Sequence, residues 1–375
     1  MLVLGCLDLG GTERQAIQAA HQLAVRHGAD TQVWGFRAPG RAAALCQRLG
    51  VPWRHLREPW GPPGLRWPGM ICNLARALRR QRPDLLLPFT SFPNIVCGLA
   101  WRFTQARACV WNQRDAGLNL DSRAAPWAVR NTPLFLSNSQ IGAEILVRRF
   151  SVDSRRLRVL PNAVRLDPPL ADRSTWRRRL GADTRTFLAC MLANVHPPKD
   201  HVTLLRAWRT VVDSLAAEGR TARLALAGRV EQGDELHRLV AELRLQEHTV
   251  LLGEVDDVAG LLAAVDLGVL SSYSEGCPNA VLECMAAGLA VVATDVRGIR
   301  EAVGPENHTL LAPVANPAAL AARILQMARD PQARRQFGDT NRRRIDTAFS
   351  VERVSDRLAA LLDSAVRFRC WPSES

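Results

Sequence analysis

One lysine, one tyrosine and no CxxC pair occur in the chain, and each scarcity narrows what it can be. The nine cysteines (6, 46, 72, 97, 109, 190, 277, 284 and 370) are scattered and odd in number, which argues against a disulfide framework and a zinc site and makes most of them small core residues. No DxD triplet occurs, and the eight histidines never stand at HxxxH spacing. Neither a pyrophosphate-bound divalent ion nor a zinc centre is therefore expected, and no cofactor is called for. Apolar runs such as 85–88 and 289–293 fall far short of the roughly 18 to 20 residues that cross a bilayer. Residues 1–11 lack the charged and apolar regions of a secretory signal, so the expected location is the cytosol. Helix-turn-helix, RNP and zinc-finger signatures are missing too, and nucleic acid is not an expected partner.

What is present is a chain of 375 residues, which at roughly 150 per domain suggests two domains. With 47% hydrophobic and 23% charged residues it has the composition of a globular protein. Its net charge of +13 favours anionic partners, whether nucleotide phosphates, a membrane face or nucleic acid, and charge alone does not choose among them. Of 49 basic residues only Lys199 is lysine. Genomic base composition accounts for the arginine bias. The exception marks a place where a compact charge on a flexible stem is wanted, as at a phosphate. Seven of the ten tryptophans precede residue 130, three of them (Trp53, Trp60, Trp67) in the proline-rich segment 52–68, which reads as a loop. Together with the arginines they suggest an aromatic and cationic patch facing an anionic membrane, with the protein peripheral at the inner face of the cell membrane.

Strand-like runs at 2–4, 31–36, 85–88, 109–112 and 134–137 alternate with helix-length stretches, beginning with an amphipathic one from about Glu13 to His27. The prolines and asparagine of 159–167 mark a turn, followed by a short capped helix at 174–180. Alternation then restarts, with strands at 187–192, 223–227, 249–252, 267–270 and 289–293 and a final helix over 350–368. This pattern predicts an α/β chain of two Rossmann-like, doubly wound parallel-sheet domains. The boundaries are 1–165 for an N-terminal domain, 166–349 for a C-terminal domain, and 350–375 for a helix packing back on the first. Ligands of open α/β sheets bind outside the strand carboxyl ends, so the site is expected in the cleft between domains.

The densest signal is SSYSEGCPNAVLECMAAG at 271–288. Pro278 suits a first helical turn, so the amides of Asn279, Ala280 and Val281 should point out of the helix end as an anion site. Glu283 lies one turn beyond Asn279 on the same face, and Glu275 sits on the preceding loop. Burying Glu283 unpaired among Leu282, Cys284 and Met285 would be costly, so that face is not core. Asp256 and Asp257 read as helix-capping acids, and His196 and His201, which flank Lys199, as structural or solvated groups.

The segment 275–283 resembles the E-x7-E signature of retaining family 4 glycosyltransferases, which have the two-Rossmann-domain GT-B fold. Other segments agree in order: GGTER at 10–14, SNS at 137–139, VLPNAV at 159–164, KDHVTLLRAW at 199–208, LALAGR at 224–229, LLGEVDDVAGLLAAVDLGVLSS at 251–272 and VVATDVRGIREAV at 291–303. The resemblance implies metal-independent hexosyl transfer, with retention, from a nucleotide-diphospho-sugar to a hydroxyl acceptor, in cell-surface polysaccharide or glycolipid synthesis. The donor implied is a UDP- or GDP-sugar, and the acceptor a saccharide, a lipid-linked molecule or a small molecule. By the same resemblance Glu283 holds the ribose hydroxyls and Glu275 faces the donor sugar. The amides of Asn279, Ala280 and Val281 and the Lys199 ammonium hold the pyrophosphate, and the Gly10–Gly11 turn brings the N-terminal backbone close to it. Fixed positive groups stabilise the charge that grows on the leaving diphosphate. The leaving phosphate oxygen itself assists acceptor deprotonation in the family proposal, and the two glutamates do not form the facing pair of a retaining hydrolase.

Two positions depart from the family pattern. Asn194 stands where many members carry an arginine, so the pyrophosphate loses one cation or takes an arginine from elsewhere. Where relatives carry a histidine after the fourth strand, either Arg114 or Asp115 stands beside the reacting sugar. Two competing readings remain at this level: a GT-B nucleotide-sugar epimerase and a noncatalytic anionic-surface binder.

Overall fold

The computed structural model describes residues 1–56, 67–114, 122–229 and 233–372. In chain order the first elements are β1 (Leu2–Leu4), α1 (Gly11–His27), β2 (Val33–Gly35), α2 (Arg41–Arg48), β3 (Trp53–His55), α3 (Trp67–Gln81), β4 (Leu85–Pro88), α4 (Ser91–Ala100), β5 (Ala108–Gln113), α5 (Ala125–Asn131), β6 (Leu134–Ser137), α6 (Gln140–Phe150) and β7 (Leu157–Val159). Then come α7 (Arg173–Arg179), β8 (Phe187–Leu192), α8 (His201–Ala217), β9 (Ala222–Ala227), α9 (Gly233–Glu242), β10 (Thr249–Gly253), α10 (Val258–Ala264), β11 (Leu267–Leu270), α11 (Asn279–Ala286), β12 (Val291–Thr294), α12 (Arg297–Val303), β13 (Leu311–Ala312), α13 (Pro317–Arg329), α14 (Pro331–Arg344) and α15 (Val351–Phe368). They form two compact units, one of Met1–Ala163 with Val351–Ser375 and one of Val164–Ser350.

Each unit holds one parallel sheet, in the order β3-β2-β1-β4-β5-β6-β7 for the first and β10-β9-β8-β11-β12-β13 for the second. Central strands such as LLLP, LFLS, LGVL and VVAT are buried along their whole length, because helices cover both faces. Side-chain alternation divides the first unit's core cleanly: Leu85 and Leu87 of β4 pack with Ile17 of α1 and Leu358 of α15, whereas Leu86 packs with Trp34, Leu74 and Val96 on the other face. In the second unit Trp208 of α8 stacks on Phe187 of β8 at 6.3 Å between ring centres. Among the described residues no helix is long and apolar enough to cross a membrane.

Several sequence expectations shift. The 52–68 segment was expected to be a loop, yet Trp53–His55 forms edge strand β3, paired in parallel with Val33–Gly35. The proline-rich context hid a strand of three residues, and Trp60 lies outside the described residues. Strand β7 likewise precedes the turn expected at 159–167, in register with Phe135–Ser137. Helix α1 begins at Gly11 rather than near Glu13. The aromatic patch does not form as expected: Trp34, Trp101 and Trp111 are core residues and Trp53 and Trp67 are half-buried. Of the early tryptophans described, Trp127 is the one mostly exposed, at 68%.

Asp257 caps α10 by accepting from the Gly260 amide, and it also receives the Leu170 and Ala171 amides and the Trp176 indole N–H. Burial alone would raise its carboxyl, but these donors outweigh burial and hold it below the usual range. Because the folded value is the lower one, its stabilisation is complete above the ordinary carboxylate range and is lost as pH falls through the folded value. Asp257→Ala is expected to cost about 2 kcal/mol near neutral pH and less in acid. Urea titrations at pH 7 and pH 3 check this; an equal loss at both would sink the pH argument.

Candidate functional site

Each sheet reverses its strand order once, at β1/β4 in the first unit and at β8/β11 in the second. Loops leaving the carboxyl ends of two such strands diverge, and the crevice they open is where open α/β sheets bind ligands. In the second unit these loops are 193–200 and 271–278, and they carry Lys199 and Glu275.

The two loops are stitched together. Lys199 and Ser272 form an antiparallel backbone bridge, the Asp200 amide donates to the Ser271 carbonyl at 3.0 Å, and the Tyr273 amide donates to the Pro198 carbonyl at 2.9 Å. The Ser272 hydroxyl donates to the same Pro198 carbonyl. Thr294, at the end of β12, accepts from the Ser272 amide and returns its hydroxyl to the Ser272 carbonyl. Asp200 caps α8 through the Thr203 amide. These bonds tie the two loops to each other at 198–200 and 271–273.

On this frame the Lys199 ammonium meets a carboxylate oxygen of Glu275 in a direct ion pair. Both side chains are largely buried, at 16% and 11% exposed. The sequence placed Lys199 on a phosphate and Glu275 on a sugar; the structure adds that they are each other's partners. Beside them, burial depresses the basicity of the His201 imidazole, which is tied to the Lys199 carbonyl at 3.1 Å and shares its surroundings with the charges of Lys199, His196 and Asp200.

The helix end after this loop also differs from expectation. Pro278 is the N-cap of α11 rather than its first helical residue, with extended backbone. Its carbonyl accepts the Val281 amide at 3.1 Å, a 3₁₀-type bond that tightens the first turn. Val281 is therefore removed from the expected set of outward amides, because its side chain is core and its N–H is used. Asn279, Ala280 and, one turn along, Glu283 are half-buried. Asn194 is exposed, and its side-chain oxygen accepts the Arg229 amide at 2.9 Å. An arginine thus does sit beside this position, though its guanidinium pairs with Glu254.

Sequence reasoning missed Gly298. A Cβ there would lie 2.1 Å from the Gly276 carbonyl oxygen and 2.3 Å from that of Glu275. Only glycine lets α12 approach the loop that holds Glu275. The stretch VRGIREAV showed a glycine near a predicted strand end, but not what it touches.

In the first unit Gly10 is the N-cap of α1, with extended backbone, and Gly11 is the first helical residue. Glu13, three residues on, folds back over this helix end and accepts the Gly10 amide, and a Cβ on Gly10 would stand 2.7 Å from its carboxylate. Burial raises the Glu13 carboxyl and the Cys6 thiol, which approach to 3.5 Å. The α1 N-terminus is thus answered by the chain's own carboxylate, a device readable from the N-cap to N3 spacing but not read. Arg114 follows β5, donates to the Asn162 side-chain oxygen and lies over the Phe89 ring at 5.4 Å. Asp115 lies outside the described residues. Among the described residues no cluster of three His, Cys, Asp or Glu could hold a metal ion.

Two Rossmann-like parallel-sheet units in one chain define the GT-B class. The model of Glycosyltransferase Family 4 matches residues 9–168 and that of Glycosyl transferases group 1 matches residues 172–344. Between them they take in most of both units, and the chain belongs to the family 4 glycosyltransferases. It is similar to the N-acetylgalactosamine-N,N'-diacetylbacillosaminyl-diphospho-undecaprenol 4-alpha-N-acetylgalactosaminyltransferase of Campylobacter jejuni, with 27% identity over 80% of this chain and 81% of that one. It is also similar to the UDP-Gal:alpha-D-GlcNAc-diphosphoundecaprenol alpha-1,3-galactosyltransferase of Escherichia coli, with 25% identity over 61% and 62%. The match thus spans less than two thirds of the second enzyme. Among solved structures, Anabaena HepE in complex with UDP and glucose superposes with a TM-score of 0.82 at 21% identity, over 97% of this chain and 99% of that one. The protein is a glycosyltransferase.

Proposed function

We propose that the chain moves a hexosyl group, with retention, from a UDP- or GDP-sugar to a hydroxyl of a saccharide-bearing or lipid-linked acceptor. The observation that carries this reading is the junction at β8/β11, where Lys199, Glu275 and the start of α11 converge. Lys199 and the Asn279 and Ala280 amides meet the pyrophosphate, and Glu283 takes the ribose hydroxyls. Glu275 orients Lys199 and faces the sugar. As the glycosyl–phosphate bond breaks, negative charge grows on the diphosphate, and a cation fixed beforehand stabilises it without reorganisation. Gly10, Gly11 and Arg114 belong to the acceptor-bearing unit in this reading. Peripheral association with an anionic membrane face fits the net charge of +13 and a lipid-linked acceptor.

The reading is tested at the nucleotide. Charge-assisted hydrogen bonds to ribose are worth roughly 1.5 to 3 kcal/mol, so Glu283→Ala should weaken UDP or GDP binding about tenfold or more while the fold survives. Calorimetry with both diphosphates on parent and variant decides it, and an unchanged affinity in the folded variant removes Glu283 from the site. A parent that binds neither diphosphate refutes the proposed donor.

A further inference from the structure

We infer that Arg229 is a second cation of the donor site, reaching the diphosphate from the strand next to the one that leads to Lys199. The inference rests on the sugar-transfer reading, because it takes the diphosphate to lie at the β8/β11 crevice. A nucleotide-diphospho-sugar carries a negative charge on each phosphate, and more develops as the glycosyl–phosphate bond breaks. Against this Lys199 sets a positive charge that its largely buried partner, Glu275, offsets. A pair with no net charge does not by itself draw an anion out of water, so a further cation is needed.

Few are placed to serve. Among the described residues, the loops that leave the carboxyl ends of the second sheet, taken with the first residue of the helices they lead into, hold three permanent cations: Lys199, Arg229 and Arg297. Arg297 opens α12 and donates to Glu301 at 3.0 Å, four residues along the same helix. A pair at this spacing lies along the helix surface, so that guanidinium is drawn down α12 and away from the sheet edge.

Arg229 is placed differently. It follows β9, which lies beside β8 in the sheet. Its amide donates to the Asn194 side-chain oxygen at 2.9 Å and its carbonyl accepts the Val195 amide at 2.8 Å, so its backbone is tied to the loop that carries Lys199. On its other side the Gly228 amide donates to the Gly253 carbonyl at 2.7 Å, and the guanidinium donates to Glu254 at 3.0 Å, directly after β10. Asn194, Arg229 and Glu254 thus stand in a row across the ends of β8, β9 and β10.

This row gives Asn194 its purpose. Its side chain carries no charge, and it instead holds the backbone of an arginine one strand away. Neighbouring strands lie about 4.8 Å apart, a gap that an extended arginine stem spans, and the forked guanidinium matches the oxygens of a phosphate. The pair with Glu254 does not hold Arg229 back. Both side chains are more than a third exposed, at 39% and 37%, where solvent leaves an ion pair little net strength. Glu254 stays hydrated when its partner leaves, whereas Glu275 would be left largely buried without Lys199. The buried pair therefore keeps its place, and the exposed pair yields its cation.

The test is calorimetry with UDP and with GDP on the full-length parent and three variants, each checked by thermal unfolding. Arg229→Gln should weaken whichever diphosphate the parent binds by about tenfold, the loss expected of one charge-assisted contact. Arg229→Lys keeps a charge on a flexible stem and should stay within about threefold of the parent. Arg297→Gln removes a charge from the same unit and should change nothing. Unchanged affinity in folded Arg229→Gln overturns the inference and leaves the donor reading standing. An equal loss in Arg229→Gln and Arg229→Lys overturns it too, because it marks a structural role, as does an equal loss in Arg297→Gln, which marks a diffuse effect of net charge. A parent that binds neither diphosphate refutes the donor reading and this inference with it.

Discussion

Replacing Lys199 by arginine should slow turnover by about a hundredfold while leaving the protein folded. The chain carries arginine at 48 positions, so arginine is its usual cation, and Lys199 is the exception. It also keeps a positive charge against Glu275, so the largely buried carboxylate is not left unpaired, the change that makes loss of a buried partner costly. What changes is shape. The guanidinium is planar and forked, and its charge is spread over a larger group than the ammonium that now meets Glu275. With Pro198, Asp200 and Ser272 tied by hydrogen bonds across the two loops, the backbone cannot retreat to make room. The charge therefore moves away from where the diphosphate develops its own. A well-placed cation contributes on the order of 3 kcal/mol to such a transition state, which is the stated hundredfold. Turnover with a working donor and acceptor, beside thermal unfolding of the same variant, checks it. A rate within about twofold of the parent would put Lys199 outside the reacting centre.

The distinction between pattern and contact explains what could be read in advance. Strands buried on both faces announce themselves as apolar runs, so LLLP at β4, LFLS at β6 and FLACML at β8 were legible to the residue. Strands of two or three residues beside prolines, such as β3, β7 and β13, carry too few side chains to show a period. The candidate site was legible where one residue type is rare or a helix start is marked, as at Lys199 and around Pro278. Pairings that close across long sequence separations were not: Lys199 with Glu275 and Gly298 beneath the Glu275 loop both depend on the third dimension. The Val281 amide shows the same limit at short range. Its use by Pro278 turns on whether that proline caps the helix or begins it, a difference of one residue.

Gly298→Ala is the second large effect, and it acts on Glu275 without touching it. The added methyl carbon would need to occupy space 2.1 Å from the Gly276 oxygen and 2.3 Å from the Glu275 oxygen, well inside the contact distance of any carbon and oxygen. These neighbours are backbone atoms, so no side-chain rotation relieves the clash. Either α12 or the 271–278 loop must move. Helix α12 is pinned on its other side by buried Ile299, Ala302 and Val303, while the loop lies over the crevice, so the loop gives way. Clearing the clash takes about 1 Å of movement, which carries Glu275 off Lys199 and turns the start of α11 away from its present direction. Donor affinity and turnover should both fall, turnover by about a hundredfold, because positioning errors near 1 Å cost that much at a reacting centre. Stability should fall by only about 1 to 3 kcal/mol, as for other overpacked sites. Calorimetry with the nucleotide diphosphate, turnover and urea unfolding on one preparation separate the two effects. A variant that keeps full nucleotide affinity and rate would show that the loop's position does not govern the site, and a crystal structure with the loop unmoved would show that α12 had yielded instead.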